Sequence, residues 1–174
     1  MSRYKQNMGI NCYEASKARL HHIYDIHDTP VVLFSGGKDS QVLLHLTHEV
    51  AQERGLKYVN AIFKQSEFIL KPTLDIIDHY KSFPWLRLKK FVIPAEGNRL
   101  VFDKHKRFVQ WDYKNREIIR PIPQDAIRPP DDTWGSEIWY GWKLEEFVCQ
   151  FWQGKIAQMM GLGQAKVVFV GGLL

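Results

Sequence analysis

Short apolar runs recur along the chain, and amphipathic segments separate them. A continuous apolar run bounded by turn residues is typical of a strand buried inside a parallel sheet. The sequence predicts such strands as VVLF at 31–34, KYVNAIF at 57–63, LRLKKFVIP at 86–94 and KVVFVGG at 166–172.

Between the strands, apolar residues recur at helical spacing. The segment after the first strand carries an apolar helical face made by Val42, Leu43, Leu46 and Val50. Further helices are predicted at 11–28, at 71–83 and at 143–161. Strands that alternate with helices are typical of an α/β fold. We therefore predict an open, doubly wound parallel sheet of about five strands with helices on both faces.

The segment from about 95 to 142 shows neither period and is rich in proline. We interpret it as an irregular insertion in a single domain that spans residues 1–174. With 45% hydrophobic residues, the chain can form a sizeable core. A net charge of +5 favours an anionic partner such as a nucleotide or a nucleic acid.

The chain has 2 cysteines, and they do not have metal-ligand spacing. This usage favours a reducing compartment. The N-terminus has no apolar run of the signal-peptide type, and no stretch approaches the length of a membrane span. We therefore expect a cytoplasmic protein with no membrane partner.

The segment SGGKDS at 35–40, which we call the glycine loop, joins the first strand to its helix. Adjacent glycines lose extra backbone freedom on folding, so their presence indicates a need for bare backbone. In a parallel sheet such a loop lies beyond the carboxyl end of its strand, where ligands bind. The amides of Gly36, Gly37 and Lys38 at a helix N-terminus form an anion-binding site, to which Lys38 adds a full charge.

Other residues of the glycine loop extend this interpretation. Ser35 and Ser40 add hydroxyl donors, and Asp39 fits either a helix cap or a ligand for Mg²⁺ bridged to phosphate. The spacing differs from that of a Walker A loop, which has four residues between its first glycine and Gly-Lys-Ser/Thr. The alternative is a glycine turn that only tightens the packing of strand against helix. The complete motif between a strand and a helix favours phosphate binding.

The motif Ser-Gly-Gly-x-Asp-Ser resembles the pyrophosphate loop (PP-loop) of ATP pyrophosphatases and phosphoadenosine-phosphosulfate (PAPS) reductases, the adenine-nucleotide α-hydrolase superfamily. The segment 61–77 resembles the PAPS-reductase segment after the second strand, and Thr73 matches the threonine that opens its helix. The acid expected before that threonine is replaced by Lys64 or Gln65, and Glu67 is the nearest acid. The similarity to the prophage co-activator-like branch lies in the segments 93–112, 121–127 and 142–157.

This resemblance implies an enzyme that binds ATP or PAPS together with Mg²⁺. The implied reaction cleaves ATP between the α- and β-phosphates, activates an acceptor and releases pyrophosphate. Lys38 and Asp39 are implied as catalytic residues, and Asp39 as the metal ligand. Nucleotide contacts are implied for the glycine loop, for Glu67, and for Ile62 and Phe63, which would hold adenine through their backbone groups.

Two other functions remain open. One is a PAPS reductase or sulfotransferase, and the other is a non-catalytic nucleotide-binding regulator or subunit that acts with a partner on nucleic acid. In the resembled branch the last strand continues into a Gly-x-Arg-x-x-Glu-Ser segment, whereas this chain ends in VVFVGGLL. We expect a divergent site, a missing carboxy-terminal portion, or a protein partner that completes the site. PAPS reductases also use a carboxy-terminal cysteine near a histidine, and its absence here disfavours sulfate reduction.

Basic and aromatic residues are interleaved between 102 and 120. Such a pattern binds nucleic acid when the charges contact phosphates and the rings stack on bases. A solvated surface with buried rings is the alternative and the favoured interpretation. A third interpretation assigns Arg107 or Arg116 to a substrate phosphate or sulfate. The residues of the pattern are Lys104, His105, Lys106, Arg107, Phe108, Trp111, Tyr113, Lys114, Arg116 and Arg120.

The remaining candidates have a structural interpretation. His21 and Asp25 share a helix face but are too few for a zinc site, so we interpret them as helix surface, as we do His45 and His48. Buried structural positions are predicted for Cys149, and for Trp134, Trp139 and Trp142, for which a contact patch is the alternative.

Overall fold

The computed structural model describes residues 9–92, 95–101, 104–114, 117–127 and 167–171. Its helices are α1 (Cys12–Ile26), α2 (Lys38–Glu53) and α3 (Lys71–Lys81). Its strands are β1 (Thr29–Leu33), β2 (Val59–Lys64), β3 (Leu86–Phe91), β4 (Ala95–Val101), β5 (Lys104–Gln110) and β6 (Val167–Val170).

The central sheet has the strand order β3-β2-β1-β6, and its strands are all parallel. Val32 pairs with Ala61 on one side and with Val170 on the other. The chain thus moves outward from β1 to β3 and then returns to the opposite side of β1. The strand order reverses between β1 and β6, which makes the carboxyl end of β1 a topological switch point where α/β proteins bind ligands.

The three helices pack on one face of this sheet. Residues of β1 and β2 on that face, including Val32 and Phe63, form one core with Leu44 of α2 and Ile77 of α3. A second cluster joins Leu20 of α1 and Val50 of α2 to Val170 of β6. This burial of apolar surface is the main force that holds the helices on the sheet.

The opposite face of the sheet is buried as well. Val31 of β1 and Asn60 and Ile62 of β2 alternate with the residues of the helix-packed face, and each is buried. The predicted α/β class with a parallel sheet is confirmed, whereas the count of about five strands is not. The predicted helix at 143–161, which would place a helix on a second face, lies outside the described residues.

Two predicted details differ in the structure. The segment from 95 onward was expected to be irregular, but β4 and β5 pair there as an antiparallel two-stranded sheet. On α2, Val42 was placed on the apolar face and is in fact 59% exposed, while Leu44 is fully buried. The buried stripe of α2 runs through Ser40, Leu44 and Thr47, so polar residues share it.

The length and polarity of a helix decide whether it could cross a membrane. Within the ranges that the structure describes, neither α1, α2 nor α3 combines the length and the apolar character that a bilayer crossing needs.

Candidate functional site

The glycine loop lies at the switch point of the sheet. It follows β1 directly, and the amide of Phe34 donates to the carbonyl oxygen of Ile62 at 2.9 Å, which ties the start of the loop to β2. Gly171 follows β6 on the other side, and a Cβ there would lie 3.7 Å from Leu33. The loop therefore lies between the carboxyl ends of its two neighbouring strands.

Gly36 is buried and has a φ of +80°. A Cβ at this position would lie 3.1 Å from Cγ2 of Thr73 and 3.4 Å from Cδ1 of Ile77. Both neighbours belong to α3, so the loop backbone packs directly on that helix. The fold requires glycine at this position for two reasons, the left-handed backbone conformation and the close approach of α3.

The N-terminus of α2 has no side-chain cap. Gly37 is the N-cap residue, and no side chain accepts a hydrogen bond from the first turn there. Asp39 lies in that first turn, exposed, and does not cap the helix, so the capping role considered from the sequence is wrong. Lys38 and Gly37 are also exposed. The first turn of α2, with its uncapped amide groups and the positive end of the helix dipole, is therefore solvent-accessible, and Lys38 adds an exposed cationic side chain to it.

The two serines of the loop have different roles. The hydroxyl of Ser40 is buried and donates to the carbonyl oxygen of Gly37 at 2.8 Å. Ser35 is exposed, and its Oγ lies 3.1 Å from that of Ser40 and 3.4 Å from the amide nitrogen of Gly37. Ser40 thus holds the loop from inside, while Ser35 lies on its open side.

Gln41 was missed by the sequence analysis. Its Nε2 donates to the carbonyl oxygen of Gly36 at 2.9 Å, and its Oε1 accepts from the hydroxyl of Tyr80 at 3.1 Å. That hydroxyl lies 3.0 Å from Nε2 of His45, and burial raises the pKa of Tyr80. Glutamine after Asp-Ser carries no signal of this contact, because its partners come from the loop and from α3.

β2 places the two predicted adenine contacts inside the fold. The carbonyl oxygen of Ile62 accepts from Phe34, and the side chain of Phe63 is buried in the core between sheet and helices. Two unpaired polar atoms, both enclosed in the fold, belong to residues that follow β2 in the chain. Oε1 of Gln65 and Nε of Arg120 are buried and have no hydrogen-bond partner in the described part of the chain.

Glu67 has a position that the sequence did not indicate. It is 0% exposed, and its carboxylate accepts from the amide of Trp111 at 2.6 Å and from that of Ile119 at 2.8 Å. Glu67 therefore joins the segment after β2 to the segment after β5. These backbone contacts argue against the nucleotide contact expected for it.

The basic and aromatic stretch is only partly described. Trp111 is 1% exposed, has a φ of +62° and donates from Nε1 to the carbonyl oxygen of Gln65 at 3.0 Å. Because its ring is buried against Val92, Trp111 is not available to stack on a base. Arg120 donates to the carbonyl oxygen of Ile69. The side chains of 104–109 and residue Arg116 lie outside the described part.

The histidines on α1 and α2 make structural contacts. Nε2 of His21 lies 2.9 Å from a carboxylate oxygen of Glu53, and Asp25 pairs with Arg54 at 2.9 Å. His48 stacks on Trp85 with ring centroids 3.9 Å apart. No group of three or more metal-ligating side chains occurs within the described ranges.

Of the two cysteines and the tryptophan cluster, the structure describes Cys12 alone. Cys12 is exposed at the start of α1. Cys149, Trp134, Trp139 and Trp142 lie outside the described residues, so their predicted burial stays a prediction.

Comparison with known proteins finds sequence similarity to a domain family and to a bacterial protein. The model of the phosphoadenosine phosphosulfate reductase domain matches residues 29–125, from the start of β1 past the glycine loop, Glu67 and Trp111. The uncharacterized protein YbdN of Escherichia coli strain K12 is 30% identical over 159 residues. That match covers 87% of this chain and 37% of YbdN, so the chain spans little more than a third of that relative's length.

Proposed function

Because the chain belongs to the phosphoadenosine phosphosulfate reductase domain family, we propose that it binds an adenine nucleotide with the phosphoryl tail in the glycine loop. The observation that carries this proposal is the uncapped N-terminus of α2 beside the exposed Lys38. A phosphate there accepts hydrogen bonds from the amides and forms an ion pair with the ammonium group.

The proposed reaction is cleavage of ATP between its α- and β-phosphates. An acceptor nucleophile forms a bond to the α-phosphorus, the bond to the bridging oxygen breaks, and the electron pair leaves with pyrophosphate. Lys38 and the amides of the first turn of α2 stabilise the charge that grows on the β-phosphate. Asp39 fits the single carboxylate that a phosphate-bound Mg²⁺ typically takes from a protein, and the ion neutralises phosphate charge when bound.

Recognition of the base is assigned to the edge after β2. Ile62 and Phe63 are engaged in the fold, whereas Gln65 supplies an acceptor and Arg120 a donor, both buried. Adenine carries a donor and acceptors on its edges, so it has a complementary group for each of these atoms, and the proposal requires both to become accessible when the base binds. Both residues lie on segments that Glu67 holds together through Trp111 and Ile119.

A sulfonucleotide such as PAPS is the second candidate substrate, and the description of the matching family favours it. Its reduction begins when a thiolate attacks the sulfur and the bond from sulfur to the phosphate oxygen breaks, which releases the nucleotide with the electron pair. A second thiol then displaces sulfite, and the two thiols end as a disulfide. Cys12 does not fit that role, because the neighbouring Tyr13 bonds to Glu49, which lies roughly 16 Å along α2 from Lys38. The thiol would then come from Cys149 or from a separate donor.

The proposal extends to the branch of the family and to a partner of the site. The resemblance of the sequence supports two further proposals, membership in the prophage co-activator-like branch and a protein partner that contributes to the site.

The deciding experiment incubates the protein with Mg²⁺ and either ATP or PAPS plus a thiol, and measures pyrophosphate and sulfite release alongside calorimetric affinity. Pyrophosphate release from ATP supports the first reaction, and sulfite release from PAPS supports the second. Binding without turnover identifies a nucleotide-binding subunit. Failure to bind either nucleotide would contradict the proposed function.

A further inference from the structure

Three hydrogen bonds connect the surface of α2 to the backbone of the glycine loop. They join Gly36 to Gln41 at 2.9 Å, Gln41 to Tyr80 at 3.1 Å and Tyr80 to His45 at 3.0 Å. Tyr80 is buried in the core between α2 and α3, with its ring 4.9 Å from that of Phe34. The chain of bonds is therefore held from both helices that flank the loop.

The direction of these bonds is fixed by their chemistry. The carbonyl oxygen of Gly36 can only accept, so Gln41 presents its amide nitrogen to it and its amide oxygen to Tyr80. Tyr80 must then donate to Gln41 and accept from the Nε2–H of His45. One orientation of each group satisfies the entire chain.

This series of hydrogen bonds determines the orientation of the peptide group between Gly36 and Gly37. Carbonyl and amide of a trans peptide point in opposite directions. With its carbonyl held by Gln41, this peptide directs the amide of Gly37 toward Ser35, on the exposed side of the loop. Two glycines alone tolerate either orientation, because neither has a Cβ to disfavour the flipped form.

We propose that Gln41 is a positioning residue, kept in orientation by Tyr80 and His45, that holds the Gly37 amide toward the bound phosphate. The proposal rests on the proposed function, since it assumes an anion at the loop. Without Gln41 the peptide is free to turn its carbonyl oxygen toward that anion, which replaces an attraction by a repulsion.

The test compares Gln41→Leu, Gln41→Glu and Tyr80→Phe with the wild-type protein. Gln52→Leu is the matched control, because Gln52 lies exposed on the same helix. Affinity for ATP and for inorganic pyrophosphate is measured by calorimetry, the urea midpoint reports stability, and the ¹⁵N-resolved signal of Gly37 reports the orientation of its amide. Pyrophosphate isolates the contribution of the loop from that of the base.

We expect Gln41→Leu to bind pyrophosphate about 10-fold more weakly, which corresponds to one lost hydrogen bond to a charged group. Gln41→Glu, which keeps the shape and cannot donate, should bind more weakly still. Tyr80→Phe should bind pyrophosphate a few-fold more weakly than the wild type. Its Gly37 signal should also shift less when pyrophosphate is added. A role in packing alone predicts instead that Tyr80→Phe binds pyrophosphate like the wild type and shows the wild-type shift of the Gly37 signal, because a loss confined to Gln41→Glu follows from its added negative charge.

The outcomes separate this proposal from the one it rests on. Wild-type pyrophosphate affinity in Gln41→Leu and Tyr80→Phe, with affinity lost in Lys38→Ala, would overturn the positioning role and leave nucleotide binding intact. If the wild-type protein binds neither ATP, PAPS nor pyrophosphate, both proposals fail. If Gln41→Leu does not fold, Tyr80→Phe, which keeps the buried ring, decides the question.

Discussion

The backbone of Gly36 lies against Thr73, so that a Cβ on the glycine would approach the threonine methyl group to 3.1 Å. We predict that Gly36→Ala destabilises the protein by more than the roughly 1–2 kcal/mol of a left-handed alanine and weakens ATP binding. Gly55→Ala is the control, because Gly55 has a φ of +71° and no atom within 4 Å of its Cβ position. Urea denaturation and calorimetry measure the two effects.

The methyl group of Thr73 provides a second test of this contact. Thr73→Ser removes that methyl group, so it should recover part of the stability lost in Gly36→Ala while the cost of the positive φ remains. Strictly additive effects of the two substitutions would show that the contact is not what excludes a side chain.

Lys38→Ala should weaken ATP binding by about 10- to 100-fold, the range for a lost hydrogen bond between charged groups, and leave the fold intact. Lys38 is exposed, so its removal leaves no buried group unpaired. The matched control is Lys57→Ala, an exposed lysine just before β2, at the opposite edge of the sheet. Calorimetry should find wild-type affinity in the control. If Lys38→Ala binds ATP with wild-type affinity, the ammonium group of Lys38 is not part of the binding site.

Glu67→Gln should destabilise the protein by about 1–3 kcal/mol, the cost of unsatisfied buried polar groups. The substitution keeps the shape but places an amide NH₂ against one of the two donors, Trp111 or Ile119. The control is Asp75→Asn, which alters an exposed ion pair with Lys71 and should change stability by less than about 0.5 kcal/mol. Equal urea midpoints for the two variants would contradict the structural role of Glu67.

Acid should weaken the contact between the 117–127 segment and α3. The hydrogen bond from Lys81 and the charge of Lys90, 3.5 Å away, lower the pKa of Asp125. A carboxyl group with a lowered folded pKa stabilises the protein above its unfolded pKa of about 3.9 and loses that contribution as the pH falls through the folded value.

Asp125→Asn should therefore have a lower urea midpoint than the wild type at pH 7 and at pH 5. The difference should shrink below about pH 4. A difference that stays constant down to pH 2 would exclude the ion pairs as its source.

The sequence predicted the parts of the fold that depend on local pattern. β1, α2 and the glycine loop follow from an apolar run, a motif and a helical period, and the structure has them in that order. Within α2, however, Val42, Leu43 and Leu44 are all apolar, so the period alone does not select the buried one. Packing against β1 and β2 selects Leu44. β4 and β5 were missed because neither AEGNRLV nor KHKRFVQ has the continuous apolar run or the regular alternation that predicts a strand.

The parts of the site that were not predicted depend on residues far apart in the chain. Glu67 finds its partners at Trp111 and Ile119, and Gln41 finds its partner at Tyr80. A single sequence shows a charged or polar residue in each position but not what will surround it. Thr73 carried a signal, as the match to the threonine that opens this helix in the resembled family, although α3 here begins at Lys71. Its contact with Gly36 emerges only from the packing of α3 on the loop.

The position of β1 between β2 and β6 has a consequence for synthesis on the ribosome. β2 follows β1 within a few tens of residues, whereas β6 begins only at Val167. A nascent chain can therefore join β1 to β2 and β3 while the far side of β1 still presents unpaired backbone groups. An unprotected apolar strand edge invites pairing with other chains. The loop gains its second flanking strand only when β6 arrives, so the growing polypeptide is most prone to aggregate in the interval before that.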